Sequence, residues 1–406
     1  MTQTPDSPPA QAAELPTFPM ARTCPFSPPE RYAELRAQGP LAKATLWNGK
    51  ETWLVTRYDT VRKLLQDPRI SSEPPRLATL AASEDGQSTN FRTFVGMDPP
   101  EHGVYRRMLT SYFTVKRVQA MRPAIQRTAD ELLDRILATE GPVDLVEALA
   151  MPLATAVICE LLGVPYDDRE FFHSRSAVAI QSSTAEETMA AFMDLYQYLD
   201  KLVRAKEAEP DEGVISRLVV DQLRSGALTH EELVNTSVLL LIVGHETSAN
   251  MIGLGALTLM RRPDVVAELK ADPELWSAAV DELLRYHSSA DWLRRAAKED
   301  IEIDGTVIKA GDSVIGLAAS ANRDERFENP DEFDIHRTER HHLAFGYGPH
   351  QCIGQHLAKA ELEIAFGTLF DRIPDVVPAA ELDDLPFKHD ATLFGLYRLP
   401  VTFTRP

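Results

Sequence analysis

Cysteine is scarce in this chain. Cys24, Cys159 and Cys352 are the three in 406 residues, too few and too scattered for a disulfide framework, and any pairing leaves an odd thiol. A reducing cytoplasm is the compartment this usage implies. Positive charge is short as well: 42 lysines and arginines stand against 61 aspartates and glutamates, a formal net charge of −19. Broad binding to nucleic acid or to an anionic membrane surface is therefore not expected, because phosphate contacts need clustered Lys and Arg. Long apolar runs are missing too. Val238 to Val243 is the most apolar stretch, and Gly244, His245 and Glu246 end it far short of the roughly 20 residues that span a bilayer. The first thirty residues hold eight prolines with Asp6 and Glu14, and neither a basic n-region nor an apolar h-region, so no signal peptide or anchor is read there. What is present is an ordinary globular composition, 44% apolar, which excludes disorder and fibre.

After a Pro-rich arm over residues 1–30, Ala44 to Trp47 and Thr52 to Val55 flank Asn48-Gly49, which predicts a hairpin with a type I′ turn. From Tyr58 onward helical patterns dominate. Ser71 to Asp98, with Glu73-Pro74-Pro75 near its start and Asp98-Pro99-Pro100 at its close, reads mostly as loop. No repeat or low-complexity linker divides the rest, so residues 31–406 are expected to form one large domain, mainly α with a minor β region.

Thr229-His230-Glu231-Glu232 is a capping box that opens a helix running to about Arg261, some 32 residues or on the order of 48 Å. It is apolar on most sides, the pattern of a buried helix. Gly244, His245, Glu246, Thr247 and Asn250 in its centre therefore need a reason. A metalloprotease HExxH fails there, because the second histidine position is Ala249. Thr247 could bond its own i−4 carbonyl and bend the helix.

Phe345-Gly346-Tyr347-Gly348-Pro349-His350-Gln351-Cys352-Ile353-Gly354 leads into another helical pattern. A dinucleotide loop is disfavoured, since Gln351 stands at the third glycine position and Pro349 lacks an N–H. Zinc held by His341, His342, His350, Cys352 and His356 is a poor proposal without a second cysteine. A Gly-rich turn with a structural cysteine is the bland alternative. The spacing suits a thiolate held in a tight loop whose peptide N–H groups approach the sulfur, as for an axial haem ligand.

Phe345-x-x-Gly348-x-His350-x-Cys352-x-Gly354 resembles the haem-binding loop of the cytochrome P450 family, in its soluble, actinobacterial form. The resemblance implies Cys352 as proximal thiolate of haem b (iron protoporphyrin IX), Phe345 beside it and His350 toward a propionate. Glu282-Leu283-Leu284-Arg285 is similar to the family's Glu-x-x-Arg, implying a buried network with Arg337 rather than an exposed intrahelical pair. Asp98 to Arg107 resembles the start of a helix that reaches the propionates through His102 and Arg106, and Arg295 to Asp300 the strand that supplies Arg295. Gly244-His245-Glu246-Thr247 resembles the oxygen-activation motif, with Glu246 and Thr247 relaying protons. Val243 stands where the family has Ala or Gly, adding bulk to the pocket.

The resemblance implies a cytoplasmic monooxygenase inserting one atom of O2 into a small hydrophobic natural product or xenobiotic. Its electrons would come from a ferredoxin and its NAD(P)H-dependent ferredoxin reductase. Phe94, Val243, Leu293 and Phe394 are the apolar pocket candidates. The rival readings are a P450-fold isomerase or peroxide-driven oxidase, and a haem-thiolate sensor without turnover; neither would need Glu246 and Thr247. Arg107, Lys116, Arg117 and Lys359 are expected as a basic patch for an acidic ferredoxin.

Overall fold

The computed structural model describes residues 15–73, 93–181, 184–389 and 393–405. Among them thirteen α-helices and eleven short strands follow one another as β1 (Thr17–Phe18), α1 (Glu30–Gln38), β2 (Leu41–Leu46), β3 (Glu51–Val55), α2 (Tyr58–Gln66), β4 (Ile70–Ser71), α3 (Glu101–Thr110), α4 (Val115–Ala138) and β5 (Val143–Asp144). Then come α5 (Met151–Leu162), α6 (Arg169–Gln181), α7 (Ala185–Ala208), α8 (Val214–Leu218), α9 (His230–Met260), α10 (Pro263–Ala271) and α11 (Trp276–His287). The last third holds β6 (Trp292–Ala297), β7 (Ile301–Ile303), β8 (Thr306–Ile308), β9 (Ser313–Leu317), α12 (Ala318–Ala321), α13 (Gln355–Arg372), β10 (Val377–Pro378) and β11 (Pro400–Thr402). The mainly helical expectation holds.

The long helix forms where its cap predicts. The Thr229 side chain accepts from Glu232 N while the Glu232 side chain accepts from Thr229 N, satisfying two amides that have no partner within the helix. By length and composition α9 could cross a membrane, but 78% of its most apolar window is buried inside the protein. It is the spine of the core, flanked by α5, α7, α11 and α13. Val234, Val238, Leu241, Ile252, Leu254, Leu257 and Leu259 are all but inaccessible, each worth about 1.5–3 kcal/mol when fully buried. At Gly244 α5 packs close: a Cβ there would stand 2.6 Å from Ile158 Cδ1.

The six-stranded sheet has the order β1-β2-β3-β9-β6-β4. Its hairpin is the expected one, with Leu41 opposite Val55 and Thr45 opposite Glu51, but its turn is not type I′. Only Gly49 has positive φ (77°); Gly49 N donates to Leu46 O and Leu46 N to Lys50 O, a longer loop in which a left-handed glycine follows an ordinary turn. Residues 15–30 of the expected arm are anchored to the fold at several points: β1 pairs in parallel with β2, Phe18 is 1% exposed, and the buried Arg22 donates to His287 O and Ser288 O. Of the expected loop between Ser71 and Asp98, β4 and a short turn at Phe94–Gly96 frame residues 74–92, which lie outside the described residues.

Candidate active site

Cys352 stands between a single turn at Gly348–His350 and α13. Its backbone N–H donates to Phe345 O at 2.9 Å, closing the loop on itself. So tight a closure needs left-handed backbone at Gly346 (φ 68°) and Gly348 (φ 73°), which glycine adopts without a Cβ penalty. A Cβ on Gly348 would also lie 2.6 Å from Leu65 O, so α2 fixes that choice independently. Cys352 is accessible, although the loop packs closely around its thiol. Burial pushes it up, against the pull of the Gly354 N–H and the Arg106 guanidinium. Phe345 is half-buried, its ring 5.8 Å from that of His342. Among the described residues no three His, Cys, Asp or Glu side chains converge on a common point, so His341, His342 and His356 do not join Cys352.

A cluster of basic groups gathers beside this loop. Arg106, on α3, donates to Gln351 O at 2.6 Å. His102, one turn earlier and 2% exposed, lies with its ring 3.9 Å from that of His350, while Phe94 stacks at 6.2 Å. Burial, then the neighbouring positive charges, hold these groups down. His102 is lowered by burial, then by Arg106 and Arg295. His350 falls to about 3, and Arg295 to about 10 by burial alone. His102 Nε2 is buried without a hydrogen-bond partner. Asp98, the acid that acts on Arg295, is already engaged by Ser72 N at 2.9 Å and Lys298 at 3.5 Å. Among the described residues the cluster thus has no free anion to balance it.

On α9, Thr247 Oγ1 donates to Val243 O at 3.0 Å, and the helix runs unbroken through that back-bond. Val243 is 46% exposed amid buried neighbours, so the face shared by 243 and 247 looks into open space. Glu246, 2% exposed, turns elsewhere: its Oε1 accepts from Lys388 Nζ and from Asn250 Nδ2, while Oε2 is buried and unpartnered.

The three remaining charged residues meet at the end of α11. Glu282 accepts from Arg285 Nε and Nη2, each at 2.7 Å, and from Arg337 Nε at 3.1 Å, with all three side chains buried. The arginines donate onward to main-chain oxygens of Asn322, Pro330 and Glu332. A peptide that has no sheet to bond to is thereby clamped.

The Cytochrome P450 family model matches residues 39–374. The chain belongs to the cytochrome P450 family. It is 50% identical over 385 residues to the mycinamicin VIII C21 methyl hydroxylase of Micromonospora griseorubida, covering 95% of this chain and 99% of that protein. It is 46% identical to the 20-oxo-5-O-mycaminosyltylactone 23-monooxygenase of Streptomyces fradiae, over 95% and 92% of the two chains. The crystal structure of the Micromonospora hydroxylase bound to mycinamicin VIII superposes with a TM-score of 0.91, covering 96% of this chain and 100% of that one.

This P450 is therefore a monooxygenase, and its family carries a haem iron. The residues present fit that group. The unbalanced cluster of His102, Arg106, Arg295 and His350 suits two carboxylates, and an iron cation would offset the burial that keeps the Cys352 thiol protonated. Of the pocket candidates, Leu293 lies against the Cys352 loop, 3.8 Å from where a Gly346 Cβ would be. Phe394 is buried, stacked on Phe387 at 5.9 Å beneath the Arg22 guanidinium. Neither it nor Phe94 shares the open exposure of Val243.

Among the buried charged residues that escaped the sequence reading, Lys388 and Glu361 touch α9. Lys388, 2% exposed, sits in an unremarkable Phe-Lys-His stretch 142 residues from Glu246, and no spacing rule joins them. Glu361, on α13, accepts from Ser248 and is pushed up to about 8 by burial; nothing in its local sequence marks it as buried. One expectation needs correcting. Lys359 is not a free docking charge: its Nζ pairs with Asp281 at 2.5 Å, where His342 also points.

Proposed function

We propose that this P450 hydroxylates a hydrophobic natural product or xenobiotic, using haem b held by Cys352 and electrons from a ferredoxin and its NAD(P)H-dependent reductase in the cytoplasm. One observation carries the reading: an accessible Cys352 stands beside four basic groups that, among the described residues, have no carboxylate of their own to balance them. The haem, when bound, supplies the reductive activation of O2. His102, Arg106, Arg295 and His350 would hold its propionates, and the Gly354 N–H would bond the sulfur. Thr247 and Glu246 would deliver protons, Thr247 from the open face of α9 and Glu246 through Oε2. The names of the relatives support the substrate class, since one is a hydroxylase of mycinamicin VIII and another a monooxygenase of 20-oxo-5-O-mycaminosyltylactone.

The tests are spectroscopic and chemical. Reduced protein with carbon monoxide should show the strongly red-shifted Soret band of thiolate ligation, and Cys352→His should lose it; an unchanged band in that variant removes Cys352 from the role. A panel of hydrophobic compounds screened by Soret shift, then incubated with NADPH and a surrogate ferredoxin system, should yield hydroxylated product. Turnover with peroxide alone, or isomerisation without reductant, would replace this reading.

A further inference from the structure

Lys388 is a buried cation on the C-terminal turn, bonded to Glu246 Oε1 and, at 2.9 Å, to Asn250 Oδ1, with the Tyr397 ring 5.5 Å away. Glu246 and Asn250 are one helical turn apart, a row about 60° around α9 from the one that carries Val243 and Thr247, so both project beside the open face, toward the C-terminal turn. The turn is held against that side by its own backbone. Lys388 N donates to Gly395 O at 2.9 Å, Phe387 bridges Leu396, and Ser289 Oγ donates to Phe394 O at 2.6 Å. Gly395 must be glycine for this contact, because a Cβ would stand 2.1 Å from Asn250 Oδ1.

Such a pair is poor evidence for a stabilising role, since apolar residues of like volume commonly replace buried ion pairs at no loss. What it does is geometric. Lys388 and Asn250 together occupy Oε1 and fix the carboxylate, leaving Oε2 as its single unbonded atom. We infer that Lys388 is the positioning residue for Glu246, anchoring Oε1 to the C-terminal turn so that proton transfer runs through Oε2 alone. The inference rests on the reading of Glu246 as a proton-handling group.

The test uses holoenzyme, a surrogate ferredoxin system and the panel compound that is turned over. Glu246→Gln should lower product per NADPH at least five-fold. Lys388→Met should fall to the same level with substrate affinity, read by Soret shift, within two-fold of wild type; Lys388→Arg should recover at least half of the coupling. The double variant should couple no worse than Glu246→Gln alone, and its urea midpoint should lie above that of Lys388→Met, because no charge is left unpaired. Wild-type coupling in Lys388→Met, beside a fall in Glu246→Gln, overturns the inference, as does a double variant less stable than Lys388→Met. Wild-type coupling in Glu246→Gln instead removes Glu246 from proton handling and takes the inference with it. Should Lys388→Met not accumulate as haem protein, Asn250→Ala removes one anchor and keeps the charges; its coupling should drop at least two-fold, and wild-type coupling there overturns the inference equally.

Discussion

Thr247 and Glu361 lie on the packed helices α9 and α13, but one acts through a hydroxyl hydrogen bond and the other through titration. Thr247 is half-exposed on the open face of α9, and its hydroxyl proton is given to Val243 O, so its lone pairs remain for incoming donors. Thr247→Ala should keep substrate affinity and divert reducing equivalents to peroxide or water. General acid relays commonly contribute about 10²- to 10⁴-fold, so product per NADPH should collapse; coupling at the wild-type level would make Thr247 only a back-bonded helix residue. Glu361 is different, because burial raises it from 4.5 to about 8. Between those values the fold keeps a proton that the unfolded chain has shed. Its contribution to stability is therefore whole below about pH 4.5, declines as pH climbs, and is gone above about 8. Glu361→Gln lacks this titration, so its advantage over wild type should widen by roughly 2–3 kcal/mol between pH 6 and pH 9. Urea midpoints of the two holoproteins that stay parallel across that range would refute the assignment.

At the scale of elements, the cap of α9 and the clamp on α11 look alike as hydrogen-bond diagrams and differ in consequence. Thr229→Ala removes a cap at an exposed helix end, where water replaces the lost bond, and should cost about 1 kcal/mol. Glu282→Ala strands Arg285 and Arg337, which are 1% and 7% exposed, and should cost on the order of 3–5 kcal/mol, seen as poor haem retention and a lowered urea midpoint. Comparable losses from the two would contradict the burial argument. The contrast also marks what the chain discloses by reading alone. The cap was legible because its two partners are three residues apart and obey one rule. The Cys352 loop was legible because closure forces glycines at fixed offsets. The turn at Asn48-Gly49 was misjudged, since loop length, set by pairing between β2 and β3, overrode the dipeptide preference. Lys388 and Glu361 were not legible at all: what makes a charged residue buried is the packing of segments distant in sequence, and the local pattern is the same as for a solvated one.

Across the whole molecule, a net charge of −19 poses a question for electron delivery, because two acidic proteins repel at long range. Docking on an acidic ferredoxin then depends on a local surplus of positive charge near Cys352. Arg106 ties α3 to the loop through Gln351 O, and Arg107, the next residue, is exposed; Lys116 and Arg117 are exposed at the start of α4. Lys359 drops out of this set, since its charge is spent on Asp281. Rim charges act mainly on association rate and on its salt dependence. Arg107→Glu with Arg117→Glu should thus slow stopped-flow reduction by an acidic ferredoxin most at 0.01 M salt, where the Debye length is about 30 Å, and little at 1 M, where it is about 3 Å. Lys359→Gln should change that rate far less than the double variant does. Substrate affinity should be unaffected in all of them, since none of these side chains reaches the face of α9 that carries Val243 and Thr247. A double variant reduced as fast as wild type at low salt would place the docking surface elsewhere on the molecule.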